Sequence, residues 1–217
     1  MSELFDEVDE EVRRDQLKKL WDQYSIYIVA GAILIIAGVG GWRGYEYLEG
    51  KKAAEAGAAF DRAVELSEEN KHAEAEAAFN DLAAKAPSGY RMLARLRAAA
   101  EIAGRDPQGA AKMYDDIAAD RSVGKPEQEL AKIRAAELLL ETASYPSMLA
   151  RLEPSTVPGA TFRHTARELL ALSAWRANDT AAARKWLDLI ANDGETPSSL
   201  RSRAEALQAL LPPVAKS

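Results

Sequence analysis

Cysteine is absent from all 217 residues. That excludes a disulfide framework, a thiolate metal site and a cysteine nucleophile, and it is compatible with an oxidising or a reducing compartment. Histidine is nearly absent. His72 and His164 stand far apart, neither has a ligand or nucleophile at motif spacing, and surface or capping roles are expected for both. An excess of basic charge is also missing, since the net charge is −6 and residues 48–217 carry 23 basic against 25 acidic side chains. Nucleic-acid binding by counterion release needs a basic excess on one face, so no nucleic acid is expected as a partner. Gly124-Lys125 fails as a phosphate loop because Ala119 and Pro126 stand where Gly and Ser or Thr are required. The adjacent carboxylates Glu68, Glu69, Asp115 and Asp116 do not share a helical face by spacing and read as solvated charges. No enzyme, cofactor or metal is expected.

What is present begins with Ser25 to Trp42, SIYIVAGAILIIAGVGGW, a run without a charge. A helix needs about 20 apolar residues to cross roughly 30 Å of hydrocarbon, and counted from Gln23 the uncharged stretch reaches that length. Ile26 to Val39 is apolar on every face, unlike a core helix with its polar stripe. A cleaved signal peptide should open with a short basic segment, yet residues 1–22 carry eight acidic side chains and four basic ones. The expectation is an uncleaved anchor in the lipid bilayer, with residues 1–22 as an acidic tail, 23–47 as the transmembrane helix and 48–217 as the soluble domain.

Charge does not orient the span. Arg13, Arg14, Lys18 and Lys19 precede it, and Arg43, Lys51, Lys52 and Arg62 follow within twenty residues. Tyr24, Tyr27, Trp42, Tyr45 and Tyr47 place aromatic rings at both ends, at headgroup depth. In the tail, acidic residues lead and basic ones follow, which suits the helix dipole and allows Asp9–Arg13, Glu10–Arg14 and Asp15–Lys19 pairs. Its apolar residues Leu4, Phe5, Val8, Val12, Leu17, Leu20 and Trp21 form a ragged stripe that docks a partner, lies along the headgroups, against which its acidic charge works, or belongs to a frayed, solvated segment.

Beyond Glu49 stand 40 of the 43 alanines, without the β-branched runs or alternation that mark strands. The fold class is all-α: a single N-terminal transmembrane helix followed by a tetratricopeptide-like helical-repeat solenoid. Breaks fall at 70–71, 86–89, 104–107, 123–126, 145–146, 154–159, 178–179 and 192–198, cutting helices of about 10–17 residues. Ala63, Ala75, Phe79 and Pro87 have the spacing at which tetratricopeptide repeats place small residues, an aromatic and a terminal proline. Thirty-five residues later come Ala98, Ala110 and Tyr114, with Ile117 in the place of Leu82. The segment Asn178 to Ala183 is similar to Arg105 to Ala110, with Leu187 and Ile190 as the following core positions. Between these units, Glu127–Ala143 predicts a first helix whose partner, Met148–Leu152, is broken by Pro146 and Pro154. Trp175, Trp186 and Leu207–Leu211 are expected in the core or in the cap of the stack.

Function is then a matter of surfaces. In the bilayer, Gly40 and Gly44 form a small-xxx-small pair beside Ala37 and Gly41, which either admits a neighbouring helix or reflects the abundance of glycine in membrane helices. In the repeats, the register points Phe60, Val64, Arg95 and Ala99 toward the inner face, where solenoids hold peptides; packing of Phe60 and Val64 against the adjoining linker is the alternative.

The order of acidic tail, Gly-rich span, Gly41-Trp-Arg-Gly-Tyr45 exit and then AAEAGAAFDRAV from Ala53 to Val64 resembles the YfgM-type ancillary subunits of the bacterial SecYEG translocon. The resemblance covers most of the chain. It implies a cytoplasmic N-terminus in the bacterial inner membrane, a periplasmic repeat domain, and work near secretory proteins leaving the translocon. It also implies association with the membrane-anchored periplasmic chaperone PpiD. The reading from a different class is a scaffold in envelope assembly or division, acting through self-association or partner binding.

Overall fold

The computed structural model describes residues 3–212, with continuous side-chain environments from Trp21 onward. The expected ion pairs and ragged stripe of the acidic tail lie outside those described side chains, Trp21 apart. Among the described residues there are nine α-helices and no strand. They are α1 (Glu3–Glu68), α2 (His72–Lys85), α3 (Ser88–Ile102), α4 (Pro107–Ala119), α5 (Lys125–Leu139), α6 (Tyr145–Leu152), α7 (Arg163–Arg176), α8 (Thr180–Ala191) and α9 (Ser198–Leu210). The chain divides into two compact units, Met1–Ala54 and Glu55–Ser217.

In the first unit the backbone is helical from Glu3. Its apolar side chains are bare: Ile26, Leu34 and Ile36 are each more than two-thirds exposed, and no residue of the eighteen-residue window of highest hydropathy is buried. A large aliphatic side chain left in water forgoes about 1.5–3 kcal/mol. The helix is long and apolar enough to cross a membrane, and it is not the core helix of a soluble domain.

The second unit is a row of helices in which each cluster of core residues hands over to the next. Ala56 and Ala63 of α1 meet Ala75, Phe79 and Leu82 of α2 and Ala94 and Ala98 of α3. The next turn of α3 gives Ala99 to a second cluster with Ala111, Tyr114 and Ile117 of α4 and Ala131 and Ala135 of α5. Ile133 and Ala136 of α5 then enter the third cluster, with Met148, Leu152, Leu170, Leu187 and Ile190. The spaced small residues are all at or near zero exposure, and Phe79 is fully enclosed. Alanine at the crossings lets backbones approach, and one aromatic fills the remaining space. Among α2–α9, the most extensive helix packing is α2 on α3, α4 on α5 and α7 on α8.

The helix ends follow from local chemistry. Asn70 and Asn178 adopt φ of 60° and 61° just past α1 and α7. In both, a backbone N–H reaches back five residues, Lys71 to Leu66 and Asp179 to Ala174, which is the Schellman closure that favours Asn or Gly. Asp106 accepts from Gly109 N at 2.8 Å and Asp179 from Ala182 N at 2.9 Å, each cap contributing about 1 kcal/mol. This equivalence explains the likeness between segments 105–110 and 178–183. Gly57 is needed for a close approach, because a Cβ there would stand 2.8 Å from Tyr90 Oη.

The expectation for Pro146 requires correction. It lies in the first turn of α6, where its missing N–H would have had no partner, so it starts the helix rather than breaking it. Ser144 caps that helix, and Pro154 falls in a 3₁₀ turn, Glu153–Ser155, that ends it. The partner helix is therefore short, but Met148 and Leu152 are fully buried core residues.

Candidate interaction site

The four residues expected on an inner face are not brought together as an open surface. Phe60 stacks edge-on against Phe79 at 5.3 Å and lies 6.0 Å from Tyr90, and Val64 packs on the same cluster. Ala99 is fully buried between α3, α4 and α5, because a helix inside a stack buries two faces. Arg95 donates to Asp120 at 2.6 Å. Asp120 also accepts from Ser122 Oγ at 2.7 Å and Ser122 N at 3.0 Å, and these bonds together with Arg95 lower its pKa to about 2. Around Gly40, Gly41 and Gly44 an added Cβ would meet nothing, so that side of the span, with Ala37, is open.

Four of the expected solvated or surface groups have specific partners, Glu69 pairing with Lys71 at 2.8 Å. Asp115 takes both guanidinium nitrogens of Arg151, joining α4 to α6, with one bond at 3.0 Å. His164 is buried rather than exposed, since the start of α7 lies against the α8–α9 connector. Its Nδ1 is 3.0 Å from Thr196 Oγ1, whose hydroxyl donates to the Ile190 carbonyl at 2.7 Å. Thr196 therefore accepts from His164, which fixes the neutral ring as the Nδ1–H tautomer. Burial, reinforced by Arg163, holds His164 below the usual imidazole range. His72, by contrast, is half exposed at the start of α2, with Nδ1 2.8 Å from the buried Glu101 carboxylate.

The densest polar arrangement is the α8–α9 connector, residues 192–197. Arg167, only 5 % exposed, donates to the carbonyls of Thr156 at 3.1 Å and Leu189 at 3.0 Å and to Asp193 at 2.8 Å. Arg163 adds a bond to Asp193 at 3.0 Å and another to Glu195. Arg201 donates to the carbonyls of Ala191 and Asp193. The Arg163 guanidinium, the Glu195 amide and Arg167 hold the Asp193 carboxyl far below the usual carboxylate range. Sequence reasoning missed this network. The available signal was Arg163 and Arg167, four apart in the first turns of α7, with Asp193 and Glu195 beyond the next helix.

Beside the connector, the outward side of α8 lines a groove of about 880 Å³ that also reaches Arg167, Asp193 and Pro212. A second cavity, about 670 Å³, lies at the α1–α2 turn around His72, Glu101, Arg97 and Arg105. The first has apolar wall from Leu189 and Ala181 and cations from Arg184 and Lys185. It can accept a polar or acidic segment but presents no nucleophile and base in hydrogen-bond reach of one another.

No curated protein and no solved structure matches the chain. Residues 18–186 match a family model described as a tetratricopeptide repeat-like domain, which takes in the apolar span and every helix pair through the first half of α8. Small residues buried at repeat spacing, stacked clusters and a match over most of the length all agree, and the chain belongs to the tetratricopeptide repeat-like family.

Proposed function

We propose that the protein is a single-pass membrane adaptor without catalytic activity, in which residues 23–47 hold the repeat domain at a bilayer so that its surface recruits other proteins. The observation that carries the reading is the coupling, in one family match, of a bare apolar helix with repeat helices, an architecture whose usual work is protein–protein interaction. In the finer form of the proposal, residues 1–22 are cytoplasmic and 48–217 periplasmic in a bacterial inner membrane. The partners are then the SecYEG translocon and a PpiD-like membrane-anchored chaperone, and the task is to assist secretory chains as they emerge. The sequence order that resembles YfgM-type subunits supports that form.

A photoreactive residue at Leu93, which is exposed on α3, should capture a Sec subunit or a periplasmic chaperone when membranes are irradiated. Recovery of lipid adducts and self-adducts alone would overturn the adaptor reading. A reporter fused after Ser217 and active only outside the cytoplasm tests orientation separately, and an inactive reporter would reverse the topology.

A further inference from the structure

α8 buries one side and bares the other. Ala183, Trp186, Leu187 and Ile190 face the core, while Ala181, Lys185 and Leu189 are exposed along the groove of about 880 Å³. That volume suits a small molecule or a few residues of a peptide.

The charges along the groove differ in how fully they are engaged. Asp193 is neutralised by Arg163 and Arg167, whereas Asp188 keeps its charge beside the neutral Gln208 amide at 2.6 Å, leaving two cations, Arg184 and Lys185, against that one carboxylate. Arg184 reaches only the Pro212 carbonyl, at 2.9 Å, and Lys185 lies over the Trp186 ring at 5.6 Å. Among the described residues, neither has a carboxylate within ion-pair distance, a lack they share with cations such as Arg97, Arg121 and Lys125, but these two stand side by side on the groove. One turn further along α8 from Lys185 lies Leu189, 41 % exposed and one of few large aliphatic side chains left open in this unit. An occupant that matches the groove brings negative charge for Arg184 and Lys185 and an apolar side chain for Leu189.

From this charge and apolar complementarity we infer that the α8 groove is a docking site for an acidic peptide segment carrying a leucine-like side chain. The inference deepens the adaptor reading and rests on it. Arg184 and Lys185 supply most of the steering and selectivity, and Leu189 the desolvated contact. An incoming carboxylate also gives Arg184 an anionic acceptor in place of the neutral Pro212 carbonyl.

The test uses the full chain in nanodiscs of zwitterionic lipid and a fluorescein-labelled peptide, Glu-Leu-Glu-Asp-Leu-Glu, followed by fluorescence anisotropy. Binding is expected to weaken about tenfold or more in R184E/K185E, to weaken less in R184Q/K185Q, and to fall as salt rises. R134E, which removes an exposed cation already paired with Glu137, should leave it unchanged. Helical circular dichroism of each variant checks folding. Equal binding by R184E/K185E, equal binding of a peptide with lysine in place of each acid, or no binding by the native chain would each overturn the site. So would displacement of the peptide when the discs carry anionic lipid, which would assign the groove to headgroups instead. If the site fails while Leu93 still crosslinks to its partner, the adaptor reading stands without this groove. If Leu93 captures nothing while the native chain binds the peptide as expected, the groove stands and the adaptor reading falls.

Discussion

Helices α2–α5 and helices α7–α9 draw on the same alanine-rich composition but are held together differently. In the first group the cores are mostly alanine around one buried aromatic per cluster, Phe79 and then Tyr114. One of the ion pairs there, Arg95 with Asp120, is about one-third exposed on both sides. In the second group Leu169, Leu170, Leu187, Ile190 and Trp186 share the core with the alanines, and a buried arginine ties three separate backbone and side-chain acceptors together. Close backbone approach stabilises the one, and side-chain volume with desolvated polar bonds stabilises the other. The same substitution type should therefore have different consequences in the two places.

The sharpest way to break the comparison is to remove an arginine from each. Arg167→Met strands the Thr156 and Leu189 carbonyls and one side of Asp193 in a buried setting, and should cost about 3–5 kcal/mol. Arg95→Met removes a partly solvated pair and should cost at most about 1 kcal/mol. Urea unfolding of the full chain in detergent, with amide hydrogen exchange to locate the loss, measures both. Equal costs would show that the two regions share one mechanism of stabilisation. The converse substitution is Ala98→Leu, at a fully buried crossing of α3, which should destabilise by about 1–3 kcal/mol through overpacking. A neutral result would mean that the amino-terminal cluster is loosely packed.

This division tracks what could be read from residues alone. Ala63, Ala75, Phe79, Ala98, Ala110 and Tyr114 were legible because a helix crossing admits only a small side chain, and that restriction is written at each position. Helix ends were legible at Asn70, Asp106, Asn178 and Asp179 because caps and left-handed turns are local. The inner face was not. Ala98 and Ala99 are neighbours, yet one enters the first cluster and the other the second, and spacing does not say which faces a stack covers. The Asp193 network was hidden for a related reason, since its partners lie 26–32 residues apart and meet only once the α7–α8 hairpin has formed. Pro146 was misjudged because a proline in a first turn and one in mid-helix look alike until the cap at Ser144 is known.

Acid should separate the regions further. The folded state holds His164 below its ordinary value of 6.5, so between that value and the depressed one the unfolded chain binds more protons. Stability from this site is full above about 6.5 and is lost as pH falls through that window. Asp193 and Asp120 act at lower pH, their contributions present above the ordinary carboxylate range and lost as pH falls below it. Hydrogen-exchange protection of the α8–α9 connector, taken relative to the intrinsic rate at each pH, should therefore fall on mild acidification before that of α2–α5, and His164→Asn should remove the difference. An unaltered exchange ratio between the regions would refute the assignment.

The smallest expected effect lies at Ser173 on α7. Its hydroxyl is fully buried and, among the described residues, has no hydrogen-bond partner, in the region otherwise distinguished by satisfied polar groups. Burying such a group without a partner costs about 1–3 kcal/mol, against which Ser173→Ala removes few contacts. The variant should be neutral or more stable by up to about 1 kcal/mol in the same urea assay. A loss of stability would mean that the hydroxyl is bonded in the folded chain, and would extend the polar network of the carboxy-terminal helices one turn further along α7.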